Sequence, residues 1–247
     1  MTLPDTESFS KKRPVLTVVL VQLLSLLVVF AAGAYATIKQ LPYTSAVMIA
    51  FIPIALALLC YMTIKKRWAH YGFRSPSTLH ARDWIDYVPL LVVLVILSIK
   101  NFNDISLSKA GFFLLFTLLI AFVEETIYRG LILRTLIRKN AAAAVITSSV
   151  LFSLTHMINM LSGQNAADTV MQLVYALLVG FVLALLMVKH HNIYPLILFH
   201  FVHNFIEFIG NKSNLIQASL VFLVLGGHCV WLLISARTSA SKTTASL

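Results

Sequence analysis

The chain has 247 residues, of which 59% are hydrophobic and only 11% are charged, and its mean hydropathy is +0.88. Soluble domains are about half apolar and about a quarter charged, so this composition excludes an ordinary soluble protein. The net charge of +10 leaves a nucleic-acid partner open until the positions of the basic residues are considered.

Eight apolar stretches are separated by short polar connections, and a membrane-spanning helix needs about 20 mostly apolar residues. In chain order they predict helices at residues 14–36, 44–64, 86–100, 111–137, 142–160, 170–188, 192–209 and 215–236. The third stretch is the shortest. We therefore expect an all-α fold, a polytopic membrane helical bundle with about eight transmembrane helices. Residues 14–236 form this single domain between two polar tails, residues 1–13 and 237–247.

The basic residues concentrate on one side of the expected topology. With the N-terminus inside, one side holds Lys11, Lys12, Arg13, Lys65, Lys66, Arg67, Arg74, Arg82, Arg134, Arg138, Lys139, Lys189, Arg237 and Lys242, and the other holds only Lys39, Lys100, Lys109 and Lys212. This distribution follows the positive-inside rule for a bundle with both termini in the cytoplasm. The positive charge thus reflects topology and attraction to anionic lipid, and we expect no nucleic-acid partner.

Three of the four Glu residues lie inside predicted spans: Glu124, Glu125 and Glu207. A charged side chain near the bilayer centre costs at least about 2.5–3.5 kcal/mol unless it faces a partner or a polar interior. Glu125 and Arg129 are four residues apart in the favourable order for a helical ion pair. Glu124 points about 100° away and lacks this partner, which makes it the candidate general base.

Further polar groups are predicted at a similar depth on two other helices. Counted from the cytoplasmic ends of their helices, Glu124, His156, Asn204 and His200 lie about 12–21 Å below the surface at 1.5 Å per residue. His200 and Asn204 are one turn apart on one helix face. Convergent titratable groups within the membrane are typical of a functional site. A carboxylate base, a second titratable group and two hydrogen-bond donors suit the attack of water on an amide.

Three motifs at these positions resemble those of the CPBP family of intramembrane proteases, which includes CAAX prenyl endopeptidases and bacterial Abi proteins. The motifs EExxxR, FxxxH and HxxxN stand in order as Glu124-Glu125-x-x-x-Arg129, Phe152-x-x-x-His156 and His200-x-x-x-Asn204. The resemblance covers about residues 111–210.

The resemblance implies a glutamate-dependent endopeptidase of the cell membrane, bacterial and multi-pass, that cleaves a membrane-associated peptide or protein. It assigns water activation to Glu124 and His156, and the oxyanion hole to His200 and Asn204. Glu125 and Arg129 would support Glu124. A zinc ion held by Glu124, His156 and His200 is the alternative, but the asparagine and the lack of two His residues four positions apart on one helix favour a mechanism without metal.

Two other functions remain open from the sequence. A catalytically idle adaptor or bacteriocin self-immunity protein would act by binding a peptide or another membrane protein. A small proton-coupled transporter would also place Glu and His inside the membrane, but the chain shows neither inverted repeats nor paired broken helices. Intact motifs favour the protease.

Overall fold

The computed structural model describes residues 9–161 and 163–244, and these residues are almost entirely helical. The eight main helices are α1 (Pro14–Ile38), α2 (Tyr43–Ile64), α3 (Val88–Ser98), α4 (Leu107–Leu136), α5 (Ala141–Thr155), α6 (Ala166–His190), α7 (Tyr194–Ile209) and α8 (Leu215–Thr244). In these ranges the only β-type pairing is an isolated antiparallel bridge between Phe102 and Gly210. The predicted all-α fold is confirmed.

Six of the helical segments are long and apolar enough to cross a membrane, namely α1, α2, α4, α6, a stretch of α8 and α5 extended to Met160. The remaining two are shorter: α3 has 11 residues and α7 has 16. The prediction that the third stretch would be the shortest is therefore correct. α8 continues through Thr244, beyond the predicted span. Residues 1–8 and 245–247 of the expected tails lie outside the described residues.

The connections meet at two opposite ends of the bundle. At the first, the backbone N–H of Ile193 donates to the Gly72 carbonyl over 2.9 Å, and Lys189 pairs with Asp86. We call this the basic end, formed by residues 65–87, 137–140 and 191–193. At the other end, formed by residues 39–42, 99–106 and 210–214, the backbone N–H of Asn103 donates to the Ile209 carbonyl over 2.8 Å.

Apolar side chains cover much of the outer surface of the bundle. Leu23, Leu24 and Leu27 of α1 are each more than half exposed, as are Leu223 and Ile234 of α8. An exposed apolar band of this extent is unfavourable in water and suits a lipid environment. Together with the lengths of the helices, this surface identifies a multi-pass membrane protein.

Small residues bring α5 and α6 into close contact. A Cβ atom added at Gly180 of α6 would lie 3.2 Å from the Cα atom of Ser149 on α5. Close backbone approach at small residues is how membrane helices gain packing energy where no hydrophobic effect acts between them. This contact sets the position of α5, which carries the second motif.

α4 changes its winding immediately after the two glutamates. Residues Thr126–Leu133 form a π-helical segment between the α-helical residues Leu107–Glu125 and the final turn Arg134–Leu136. Such segments are rare and are frequent at functional sites. In this wider helix Arg129 still pairs with Glu125.

Candidate active site

A cavity of about 490 Å³ lies inside the bundle and is bounded by side chains from every main helix. We call it the central cavity. Its walls are mostly apolar, and the four predicted catalytic residues all line it: Glu124, His156, His200 and Asn204. A largely apolar cavity with a few convergent polar groups is the usual form of a binding or active site.

Glu125 and Arg129 form a fully buried ion pair, as the i,i+4 spacing predicted. Arg129 Nη1 donates to Glu125 Oε1 over 2.9 Å, and neither side chain is exposed. The guanidinium also donates from Nη2 to the Gly180 carbonyl over 3.4 Å. Its central carbon lies 4.3 Å from the centre of the Phe152 ring. A planar guanidinium suits this combination of carboxylate pairing and aromatic stacking better than an ammonium group does.

His200 lies between the two neighbouring glutamates. Its Nδ1 atom is 2.8 Å from Glu125 Oε1, and its Nε2 atom is 3.4 Å from Glu124 Oε2. The Glu125 contact fixes the plane of the imidazole and leaves Nε2 directed towards the cavity side. The sequence did not predict this bridge, because 75 residues separate His200 from Glu125.

His156 is oriented by its own helix. Its Nδ1 atom lies 3.0 Å from the Phe152 carbonyl oxygen, and because a carbonyl only accepts, Nδ1 carries the hydrogen. In the neutral ring, Nε2 is then the free nitrogen, and the residue lines the central cavity. α5 ends at Thr155, so His156 stands at the C-cap, where the chain leaves the helix.

Phe152 packs at the centre of this group. Its ring makes edge-to-face contacts with Tyr128, His156 and His200, at centroid distances of 5.2, 5.0 and 5.9 Å. These contacts make Phe152 a packing residue of the site. Through these ring contacts Phe152 packs between His156, at the end of α5, and His200 of α7, and so sets the separation of the two histidines.

Asn204 is held by its neighbour His203. The His203 Nδ1 atom donates to Asn204 Oδ1 over 3.1 Å, and the Tyr175 hydroxyl lies 2.7 Å from His203 Nε2. With Oδ1 occupied in this way, the Nδ2 amide of Asn204 is the part available for another acceptor. His203 and Glu207 are four residues apart on α7, a spacing that allows a pair, but Glu207 pairs with the buried Lys100 over 2.6 Å.

Comparison with known families finds a match, over residues 106–206, to the family described as Type II CAAX prenyl endopeptidase Rce1-like. This part of the chain is similar to that family. The match spans all three motifs and confirms the resemblance to the CPBP family. Among curated proteins and solved structures, none matches the chain.

The Rce1-like region supplies all four predicted catalytic residues, and helices outside it complete the cavity wall. Val29 and Gly33 of α1, Phe51 of α2 and Phe222 of α8 line the same space. No sequence pattern singles out these residues, because apolar positions on a membrane helix do not show which face is turned inward.

Other polar residues at the cavity or buried beside it have partners that the sequence did not predict. Tyr128 is buried, and its hydroxyl hydrogen-bonds to Thr155 on α5. Asn159 donates to Gln172 Oε1 over 2.9 Å. Tyr175 lies in a stretch that the sequence predicts only as apolar helix. These contacts join residues from different helices, whose relative rotation no local spacing determines.

The proposed zinc ligands do not form a metal-binding group in the structure. Over residues 9–161 and 163–244, no three side chains of His, Cys, Asp or Glu are arranged to hold a metal ion together. His200 makes its Nδ1 contact with Glu125, a contact that metal-binding histidines also make, so the mechanism without metal stays a prediction.

Proposed function

We propose that the chain is an intramembrane endopeptidase that hydrolyses a peptide bond in a membrane-associated peptide or protein, using water activated by Glu124. The observation that carries the proposal is the shared cavity: Glu124, His156, His200 and Asn204 line one space of about 490 Å³ between membrane helices. The Rce1-like match over residues 106–206 supports the same class of reaction.

The two adjacent glutamates have different surroundings, and this supports different roles for them. Glu125 is completely buried and its Oε1 atom is occupied by Arg129 and His200. The Glu124 side chain is 15% exposed and lines the cavity. A general base must reach a water molecule beside the substrate, so Glu124 suits that task and Glu125 positions its neighbours.

In the proposed reaction, the oxygen of a water molecule attacks the carbonyl carbon of the scissile bond while Glu124 accepts a proton from the water. The carbonyl oxygen becomes an oxyanion, which accepts hydrogen bonds from Asn204 Nδ2 and from His200 Nε2. The second bond requires the imidazole to carry a hydrogen on both nitrogens, because Nδ1 already donates to the Glu125 carboxylate. The carbon–nitrogen bond then breaks, and the proton passes to the leaving amine. His156, with Nε2 free, assists by holding the water or by sharing the proton.

The proposal includes no metal ion. It is supported by the third motif, in which an asparagine, which is not a usual zinc ligand, follows His200 by one helical turn. We therefore expect a strong chelator to leave the activity unchanged. Loss of activity in chelator, restored by added zinc, would contradict this part of the proposal.

The experiment is the cleavage of a library of fluorogenic membrane peptides by the purified protein in detergent. Wild type is compared with Glu124→Gln and His156→Ala, and Asp104→Asn serves as the matched control because Asp104 is an exposed carboxyl outside the cavity. The proposal predicts cleavage by wild type and by Asp104→Asn, and loss of cleavage in the other two variants. Equal cleavage by all four proteins would contradict it.

The same variants separate catalysis from binding in cells. If deletion of the gene gives a phenotype, wild type should rescue it and Glu124→Gln should not. Full rescue by Glu124→Gln would favour the non-catalytic adaptor or immunity function, because this substitution removes the base and preserves the shape of the side chain.

A further inference from the structure

The central cavity is not symmetric between the two ends of the bundle. The residues that line it on α2 and α8 come from the first half of each helix, for example Tyr43 and Val47 on α2 and Ala218 on α8. Those helix halves lie next to residues 39–42 and 210–214, away from the basic end. Ser213, in the connection between α7 and α8, lines the cavity as well.

The half of the bundle towards the basic end is tightly packed. Leu133 of α4, Leu183 and Leu186 of α6 and Leu196 of α7 are completely buried there. The connection from α2 to α3 closes this end: a Cβ atom added at Gly72 would lie 2.3 Å from the side chain of Met187. The cavity therefore continues from the predicted catalytic residues towards the opposite end only.

The distribution of Lys and Arg residues indicates which side of the membrane the closed end faces. The chain has eighteen Lys and Arg residues besides Arg129, which belongs to the first motif. In the expected topology, fourteen of them lie on the side of the basic end and four lie on the other side. The positive-inside rule places the side rich in Lys and Arg in the cytoplasm. The closed end then faces the cytoplasm, and the end towards which the cavity continues faces away from it.

We infer that the site receives its substrate from the non-cytoplasmic side of the membrane, as an apolar peptide segment at the outer leaflet. This inference rests on the proposed function, because only a protease would have a peptide substrate here. The direction in which the cavity opens does not depend on that function. The apolar walls match an apolar segment, and the exposed carboxylate of Glu207 adds a polar group near this end of α7.

The structure also limits how far such a segment must enter. Asn204 and His200 lie five and nine residues before the end of α7 at Ile209. At 1.5 Å per residue this places the scissile bond about 8–14 Å inside the bundle. An extended chain advances about 3.3 Å per residue, so roughly two to four substrate residues separate the scissile bond from the cavity mouth.

The direction of opening is tested by labelling single cysteines in intact cells of a bacterial host. The background carries Cys60→Ala and Cys229→Ala, which remove the two free cysteines. Leu41→Cys probes the end opposite the basic end, and Ala81→Cys is its match at the basic end. Both positions are exposed, and neither substitution changes a charge.

A membrane-impermeant thiol reagent is expected to label Leu41→Cys in intact cells, and Ala81→Cys only after the membrane is permeabilised. Ser213→Cys, at the cavity wall, is expected to follow Leu41→Cys. The reverse pattern for Leu41→Cys and Ala81→Cys would overturn the inference. Glu124→Gln in the same background should leave the labelling unchanged, so this result is independent of catalysis.

A second arm uses a peptide cleaved in detergent and vesicles of both orientations. Added outside, this peptide should be cleaved at least tenfold faster by right-side-out vesicles than by inside-out vesicles, with equal rates after detergent is added. Faster cleavage by inside-out vesicles would overturn the inference while the proposed function stands. Absence of cleavage in detergent would contradict the proposed function, and the labelling pattern would still decide which side the cavity faces.

Discussion

Arg129→Met tests the buried ion pair at the centre of the first motif. The substitution leaves the Glu125 carboxylate with no exposed surface and with His200 as its remaining partner at Oε1. Breaking a buried pair by removing one partner costs about 3–5 kcal/mol, because a charge stays buried without compensation. For a protein of this size, 1 kcal/mol corresponds to about 2–4 °C in Tm, so we expect a decrease of roughly 6–20 °C.

The double variant Arg129→Met with Glu125→Leu provides the control. Replacement of a whole buried pair by apolar side chains of similar volume is often neutral, so the double variant should regain most of the lost stability. Arg129→Lys should fall between wild type and Arg129→Met, because an ammonium keeps the charge but loses the stacking on Phe152.

The assay is thermal unfolding in detergent, followed by the fraction of protein that remains monodisperse after heating. A decrease of less than about 2 °C for Arg129→Met, equivalent to roughly 1 kcal/mol or less, would refute the reasoning. A double variant as unstable as the single variant would also refute it, because the loss would then come from the missing arginine side chain rather than from the stranded carboxylate.

Three further predictions concern the oxyanion site and the helix packing. Asn204→Ala should lower kcat about 10²–10³-fold with a smaller change in KM, in a steady-state assay on a library peptide; an unchanged kcat would exclude an oxyanion role. Tyr175→Phe removes the hydroxyl that contacts His203, and it should lower kcat by roughly tenfold without changing Tm by more than a few degrees. An unaltered kcat would mean that Asn204 does not need the support of His203 and Tyr175. Gly180→Val should destabilise the protein by about 1–3 kcal/mol, because its Cβ meets the α5 backbone, while Gly226→Ala, which has open space, should not. Equal unfolding temperatures for these two variants would contradict the close α5–α6 contact.

The helices and the depth of the site were predictable from sequence because both depend on distance along the chain. Apolar length defines a membrane helix, and a rise of 1.5 Å per residue defines the depth of each side chain. Glu124, His156 and Asn204 therefore line one cavity, as their similar depths had indicated. The Glu125–Arg129 pair was predictable for a similar reason, since its partners are one turn apart.

Contacts between helices were not predictable, because they depend on how each helix is rotated about its axis. His203 meets Tyr175 rather than Glu207, and Glu207 meets Lys100 from the connection before α4. A local spacing of four residues made the His203–Glu207 pair possible, but it carried no information on competing partners from other helices. Tertiary packing selected between them.

The π-helical segment of α4 was also missed. Its residues, Thr126–Leu133, read as ordinary membrane helix by composition. The segment follows directly after Glu125 and carries Arg129, and it packs against the α5 helix, where Ser148 donates to the Tyr128 carbonyl over 2.8 Å. A change of winding of this kind arises from packing within the bundle and leaves no distinct pattern in the sequence.

The central claim, that Glu124 activates the attacking water, is tested most directly by the kcat of Glu124→Gln on a cleaved peptide. The rate is normalised to protein that retains the wild-type Tm, and Asp104→Asn is measured beside it. General-base catalysis contributes about 10²–10⁴-fold, so the account predicts a decrease of at least about 100-fold for Glu124→Gln and no change for Asp104→Asn. A folded Glu124→Gln variant that retains kcat within about threefold of wild type would contradict the account.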